Sequence, residues 1–103
     1  MHPLDALGNP LRRQILLELR DEPLSVGDLA ARFPISRPAI SKHLRLLEAA
    51  GLVESEPNGA RNVVAVSVRG FSLVRDFIDG FWDTALNRLS SLAHEEAAQK
   101  RRS

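Results

Sequence analysis

The stretch that decides the fold is FPISRPAISKHLRLLEAAGLVE, which spans residues 33–54. Ser36 has a side chain that commonly caps the N-terminus of a helix. Pro38 would fall in the first turn, where a missing backbone N–H costs nothing. Gly51 can adopt the left-handed conformation that often ends a helix. These signals predict a short helix over about residues 37–50.

This predicted helix has one apolar and one basic face. Its apolar residues recur at i, i+4 and i+7, the spacing of a stripe buried against a core: Ile40, Leu44 and Leu47. The opposite face is mostly polar or basic and consists of Arg37, Pro38, Ser41, Lys42 and Arg45. Between Asp28 and Glu48 the chain has four basic residues and no acidic one. Either an ordinary solvated surface or a negatively charged partner would explain this face.

Three further helices are predicted upstream. The first is short, covers PLDAL and ends at Gly8. The second covers NPLRRQILLELRDE, with Asn9 as the N-cap and Pro10 at the first helical position. The third follows Ser25 in LSVGDLAARF, with Asp28 at the second position of a capping box. Only the tripeptide PIS separates the third helix from the fourth.

A β-hairpin and a long helix are predicted downstream. LVESE and VVAVSV favour strands, and Asn58-Gly59 is a strong hairpin signal because both residues tolerate positive φ. The hairpin tip is therefore expected near residues 57–61. Gly70 is expected to break the chain before a helix of about 40 Å over residues 71–98. The predicted fold is mostly α with a β-hairpin wing, in the order α-α-α-α-β-β-α.

The length and composition predict one small domain over residues 1–103. The chain has no internal repeat, and its 44% hydrophobic and 26% charged residues are typical of a globular protein. Neither a run of about 18 apolar residues nor a signal-peptide pattern is present, so we expect no membrane partner and a cytoplasmic location. The absence of cysteine excludes disulfides and thiolate metal sites.

Charge is segregated along the chain although the net charge is only +1. Residues 29–47 and 57–75 contain basic residues and no acidic ones. Residues 76–99 contain five acidic residues and a single arginine. Such segregation is typical of a protein that presents one basic surface to a polyanion.

The order of elements is that of a helix-turn-helix followed by a wing. In such proteins the N-terminal part of the second helix reads base edges in the major groove of double-stranded DNA. Arg37, Pro38 and Ser41 are predicted to contact bases. Arg37 can form two hydrogen bonds with guanine, and Pro38 can make an apolar contact with a thymine methyl group. Ser41 can donate or accept a hydrogen bond. The other predicted DNA contacts are to phosphate, or to the minor groove at the wing: Ser36, Lys42, Arg45, Arg61, Arg12 and Arg13.

The segments LGNPLRRQILLEL and LSVGDLAARFPISRPAISKHLRLLEAAGLV, with the hairpin after them, resemble the ArsR-type (ArsR/SmtB) winged helix-turn-helix regulators of bacteria and archaea. The resemblance covers about residues 3–97 and is most specific in SRPAISKHLRLLEAAGLV. The FW and RL pairs within residues 81–89 resemble the SdpR-like, non-metal branch. The resemblance implies a homodimeric transcriptional regulator, usually a repressor, that binds an inverted-repeat operator near its own gene.

The sequence departs from the sensor sites that this resemblance implies. Metal-sensing relatives carry a Cys-x-Cys motif near the equivalent of residues 28–33, and this chain has no cysteine. Another family site takes Asp, His and Glu ligands from the last helices of both subunits. Asp83 and His94 have a suitable separation for it, but nothing completes a tetrahedral set. We expect no metal site and no cofactor.

Catalysis is not expected either, because no Ser/His/Asp set, phosphate loop or carboxylate pair stands out. His43 is expected to be a partly buried histidine, hydrogen-bonded beside the core. These observations predict a protein that is not an enzyme.

The last predicted helix carries an apolar stripe too long for the rest of a small domain to cover. An uncovered stripe rich in aromatic residues is typical of an interface. The predicted homodimer interface comprises Val74, Phe77, Ile78, Phe81, Trp82 and Leu89, whereas Leu73 and Leu86 are alternatives for the intramolecular core. A twofold dimer would place two recognition helices in successive major grooves about 34 Å apart.

Two other functions stay open on the sequence alone. One is a sensor of the same fold whose DNA affinity responds to a metal or a small ligand. The other is a winged helix that docks onto a protein, which would not need a basic outer face. Arg37, Lys42 and Arg45 favour DNA over protein docking. The sequence identifies no effector.

Overall fold

The computed structural model describes the backbone of residues 1–102 and the side chains of residues 1–96. It contains two compact units, Met1–Ser72 and the helical segment from Leu73 onward. The elements in chain order are α1 (Pro3–Ala6), α2 (Pro10–Asp21), β1 (Leu24–Ser25), α3 (Val26–Ala30), α4 (Arg37–Ala49), β2 (Val53–Asn58), β3 (Arg61–Val66) and α5 (Val68–Arg102). The predicted winged helix-turn-helix order is confirmed, with one additional short strand, β1.

Side-chain caps fix the helix starts at the predicted residues. Asn9 Oδ1 accepts hydrogen bonds from two N–H groups in the first turn of α2, at 2.9 and 3.2 Å. Ser25 Oγ accepts one from the Asp28 N–H at 3.1 Å, and Ser36 Oγ accepts one from the Ala39 N–H at 3.3 Å. Each cap satisfies N–H groups that have no partner within the helix. The local sequence therefore determines where α2, α3 and α4 begin.

The end of α4 is a Schellman motif. Gly51 has a φ of 77°, in the left-handed region that suits glycine. Its N–H donates to the Glu48 carbonyl at 2.9 Å, and the Leu52 N–H donates to the Leu47 carbonyl at 3.0 Å. Leu47 and Leu52 are both fully buried. The motif ends α4 and turns the chain into β2.

The three strands form an antiparallel sheet in the order β1-β3-β2. β1 was not predicted, because its two residues pair with Val63 and Val64 of β3, far away in sequence. Asn58 pairs with Arg61, so the hairpin loop is Gly59-Ala60 rather than Asn58-Gly59. Only Gly59 has positive φ there, at 66°. A glycine of positive φ at the first loop position is the pattern of a type II′ turn.

The last helix begins at Val68, three residues before the predicted start at residue 71, so the expectation that Gly70 breaks the chain is wrong. Ser67 is buried, and its Oγ accepts a hydrogen bond from the Gly70 N–H at 3.2 Å. A Cβ on Gly70 would overlap the carbonyl oxygen of Gly51. Glycine at position 70 thus allows the first turn of α5 to approach the end of α4. No helix in the described part of the chain has the length and apolar character needed to cross a bilayer.

The core of the first unit lies among its helices and against the sheet. Its largest fully buried side chains come from α2, α3, α4, β3 and the turn between α4 and β2, and these are Ile15, Leu29, Ile40, Leu47, Leu52 and Val64. Burying a side chain of this size contributes about 1.5–3 kcal/mol. The apolar stripe of α4 belongs to this core, which leaves the opposite face of α4 exposed.

Candidate nucleic-acid interface

The two faces of α4 separate as the sequence predicts. Ile40 and Leu47 are fully buried and Leu44 is nearly so. On the other side, Ser41 is half-buried, and the exposed residues are Ser36, Arg37, Pro38, Lys42 and Arg45. α4 therefore holds a row of polar and basic side chains outward on a helix that is fixed by its buried face.

The tip of the wing lies beside the N-terminal half of α4. Together with the start of α3 they enclose a cleft of about 590 Å³, here called the interface cleft. Its lining residues are Ser25, Val26, Gly27, Asp28, Arg37, Ser41, Ala60, Arg61 and Asn62. Three of the residues predicted to contact DNA thus meet at one place, although they come from α4 and from the wing.

Asp28 and Arg37 also line the interface cleft. The Asp28 carboxylate approaches Arg61, with Oδ2 3.9 Å from Nη1. The Arg37 guanidinium lies over Gly27, where an added Cβ would be 3.6 Å from Nη1. Sequence reasoning identified Asp28 only as a capping-box residue. Its proximity to the wing depends on the tertiary fold, and no local spacing indicates it.

Arg12 and Arg13 bind the end of α1. Arg12 Nε donates to the Ala6 carbonyl at 2.8 Å, and Arg13 Nη1 donates to the Leu7 carbonyl at 2.7 Å. These bonds satisfy carbonyl groups at a helix end. The structure places neither arginine in the interface cleft, and their contact with phosphate stays a prediction.

Arg32 belongs to the acid-free stretch in sequence but is paired in the fold. Its guanidinium lies 2.7 Å from a Glu18 carboxylate oxygen and 3.2 Å from a Glu22 carboxylate oxygen. Hydrogen bonds to Glu18 and Glu22 raise the pKa of Arg32. The charge of Arg32 is therefore balanced by α2 and the residue after it, and the basic surface of the stretch consists of Arg37, Lys42 and Arg45.

His43 is half-buried on α4, as expected. The prediction of a hydrogen bond is wrong for Nδ1, which is buried and has no hydrogen-bond partner among the described residues. Burial lowers the pKa of His43 below its ordinary value, and the positive charges of Arg12 and Lys42 lower it further. The fold thus favours the neutral imidazole.

Within the second unit, α5 exposes a broad apolar face. The exposed apolar side chains are Leu73, Phe77, Ile78, Phe81, Trp82, Leu86, Leu89 and Leu92. Phe77 and Phe81 are 60% and 62% exposed, and the rings of Phe81 and Trp82 meet edge to face at 6.1 Å. Leu73 and Leu86 are not core residues. Val74 is buried, unlike these residues, and its place in the dimer interface stays a prediction.

Metal-binding side chains do not cluster in the part of the chain that the structure describes. No group of three or more His, Cys, Asp or Glu residues there is placed to hold an ion.

Comparison with known proteins relates this geometry to a family. A family model described as a helix-turn-helix domain matches residues 7–56. The HTH-type transcriptional regulator Rv2034 of Mycobacterium tuberculosis is 41% identical over 88% of this chain and 85% of its own length. The transcriptional repressor SdpR of Bacillus subtilis is 39% identical over 52% of this chain and 60% of its own length.

Solved structures match the fold over a similar range. A protein described as a possible transcriptional regulator for arsenical resistance has a TM-score of 0.74 and 36% identity, over 88% of this chain and 95% of that one. The homodimeric winged helix-turn-helix DNA-binding domain of Mb0332 from Mycobacterium bovis has a TM-score of 0.63 and 26% identity, over 80% of this chain and 76% of that one. The fold, the order of its elements and these relatives agree, and the chain belongs to the ArsR-type winged helix-turn-helix transcriptional regulators.

Proposed function

We propose that this protein is a transcriptional repressor that binds an inverted-repeat operator as a homodimer. α4 enters the major groove, and the tip of the wing contacts the backbone or the minor groove. The observation that carries the proposal is the exposed basic face of α4 beside Arg61 in one cleft. A helix fixed by one buried face and polar on the other is the element that reads base edges in this type of protein.

The residues divide into two groups by their expected contacts. Arg37, Pro38 and Ser41 lie in the first turn and a half of α4 and contact bases. Ser36, Lys42 and Arg45 bind phosphate, and Arg61 contacts the backbone or the minor groove; these contacts set the register. Neutralising phosphates releases counterions, so this second group makes binding strongly dependent on salt.

The exposed apolar face of α5 supplies the dimer interface. Phe77, Phe81 and Leu89 would each remove a large apolar surface from water when a second copy binds. A twofold arrangement buries the same face of both copies and presents two α4 helices to an inverted repeat. The homodimeric Mb0332 domain, similar in fold, supports this arrangement.

Repression follows simply from such a complex, because a dimer bound over a promoter blocks RNA polymerase. SdpR, a repressor by name, supports this sign of regulation. The operator is proposed to lie near the protein's own gene, and the protein to act in the cytoplasm without a metal or cofactor.

Two alanine variants test the division of roles. Arg37→Ala is expected to weaken operator binding about 5- to 150-fold with little effect on scrambled DNA, because a bidentate pair with guanine contributes about 1–3 kcal/mol. Lys42→Ala is expected to weaken both duplexes equally and to reduce the salt slope by about 0.9. Arg32→Ala is the matched control, since the Arg32 guanidinium is held by Glu18 and Glu22.

Fluorescence anisotropy over a series of salt concentrations measures all three variants. If Arg37→Ala weakened operator and scrambled DNA by the same factor, as Lys42→Ala is expected to do, the division of roles would be contradicted. Unchanged binding by both variants would favour protein docking by α4 instead.

A further inference from the structure

The interface cleft contains a feature that the proposed function does not use. Among its lining residues in the described structure, Asp28 alone is acidic, and it lies with Arg37, Ser41 and Arg61. Its carboxylate is 3.9 Å from the Arg61 guanidinium. A negative charge on a surface that binds DNA repels the phosphate groups and weakens binding.

We propose that Asp28 limits the DNA affinity of the protein by competing with phosphate for Arg61. In the free protein Asp28 pairs with Arg61 and acts as an internal substitute for a phosphate group. When DNA binds, Arg61 exchanges the carboxylate for a phosphate, and the charge of Asp28 is left near the DNA backbone. This inference rests on the proposed function.

The pair is suited to such an exchange because it is weak and open. The side chains of Asp28 and Arg61 are 64% and 73% exposed, and their closest atoms are at the edge of ion-pair distance. Exposed pairs of this kind contribute little to stability. A phosphate that carries a full charge can therefore displace the carboxylate at small cost.

The position of Asp28 is fixed although its side chain is exposed. Its backbone N–H donates to Ser25 Oγ at 3.1 Å in the first turn of α3. Ser25 also pairs with Val63 of β3, close to the wing tip. The carboxylate is thus held near Arg61 by elements that belong to the same compact unit.

The effect is expected to be independent of DNA sequence. Arg61 is proposed to contact the backbone or the groove edge, whereas base reading is proposed for Arg37, Pro38 and Ser41. Removing the charge of Asp28 would therefore strengthen binding to operator and scrambled DNA by the same factor. Asp28 would limit how tightly the protein is held at non-specific sites, where phosphate contacts dominate binding.

The test compares Asp28→Asn with the wild-type protein by fluorescence anisotropy. The variant is expected to bind both duplexes about two- to tenfold more tightly, because the Arg61 contact with phosphate, present in both proteins, is then formed without competition from a carboxylate. Asp21→Asn is the matched control, because it removes the same charge from a 75% exposed aspartate that pairs with Arg20 at 3.4 Å. The control is expected to leave both affinities within twofold of wild type.

A second background separates competition for Arg61 from a general effect of charge. In Arg61→Gln, the substitution Asp28→Asn is expected to lose most of its effect. An equal gain in both backgrounds would overturn the competition mechanism. If a folded Asp28→Asn protein bound DNA no more tightly than wild type, the inference would be overturned. The proposed function would still stand in that case, provided that the wild-type protein binds DNA. Failure of the wild type to bind any duplex at low salt would overturn both.

Discussion

Replacing Gly70 by Ala tests the contact between the first turn of α5 and the end of α4. A Cβ at this position would overlap the carbonyl oxygen of Gly51 and lie 2.8 Å from its carbon. The obstacle is backbone, fixed by the Gly51 N–H bond to Glu48 at 2.9 Å. Because a carbonyl group cannot rotate away as a side chain can, the substitution must displace one segment.

Two opposing contributions set the size of this effect. Alanine in a helix is favoured over glycine by about 1 kcal/mol. Overpacking of a close contact costs about 1–3 kcal/mol, and more when backbone must move. The difference is about 0–2 kcal/mol, and because the obstacle here is backbone we expect Gly70→Ala to lower the free energy of unfolding by the upper part of that range, about 1–2 kcal/mol. For a domain of this size that corresponds to a fall in Tm of about 4–16 °C.

Thermal unfolding followed by circular dichroism, at one protein concentration, measures this loss. Gly80→Ala is the control, because it makes the same change within α5 where nothing lies within 4 Å of the new Cβ. The control is expected to raise stability by about 0.5–1 kcal/mol. A Gly70→Ala protein as stable as wild type would refute the reasoning.

Three further predictions concern the dimer interface, Arg32 and the half-buried His43. Phe81→Asp is expected to yield monomers in sedimentation experiments. The control Asn87→Asp, on the polar side of α5, is expected to remain a dimer. If the Phe81→Asp protein were still a dimer, the proposed interface would be wrong. Arg32→Ala is expected to lower Tm slightly in low salt and not in about 1 M NaCl, where exposed charges are screened; a loss unaffected by salt would point to packing instead. Because the pKa of His43 is lowered from its ordinary 6.5, the unfolded chain binds more protons and stability should fall as the pH drops below about 6.5; His43→Gln should lose this dependence, and an unchanged pH profile would contradict the explanation.

The elements of this fold are predictable where local chemistry determines them. Asn9 and Ser36 cap the helices that they were expected to cap, and Gly51 takes the left-handed conformation that ends α4. The buried stripe of α4 follows from its i, i+4, i+7 spacing. In each case the deciding groups lie within a few residues of one another.

The remaining features depend on contacts between distant segments. β1 has only two residues and exists because β3 pairs with it. In the sequence Gly70 looks like a helix breaker, but in the fold it lies inside α5, where the close Gly51 carbonyl group leaves no room for a Cβ. The carboxylates that pair with Arg32 come from positions 10 and 14 residues away in sequence.

In the candidate site, too, some features follow from local sequence and others from contacts between distant segments. Periodicity identified the exposed face of α4, and the turn signal identified the wing. The meeting of Arg37, Ser41 and Arg61 in one cleft, and the presence of Asp28 there, required the folded chain. Nor did the sequence indicate that Arg12 and Arg13 donate to the carbonyl groups at the end of α1.

The most direct test of the central claim is binding to DNA from upstream of the protein's own gene. Fluorescence anisotropy at about 0.15 M salt would compare that duplex with a scrambled one of the same composition. We predict saturable binding of two chains per duplex, with an affinity for the upstream DNA at least about 10³-fold higher than for the scrambled DNA. A folded protein that binds neither duplex, even at about 0.05 M salt, would contradict the account.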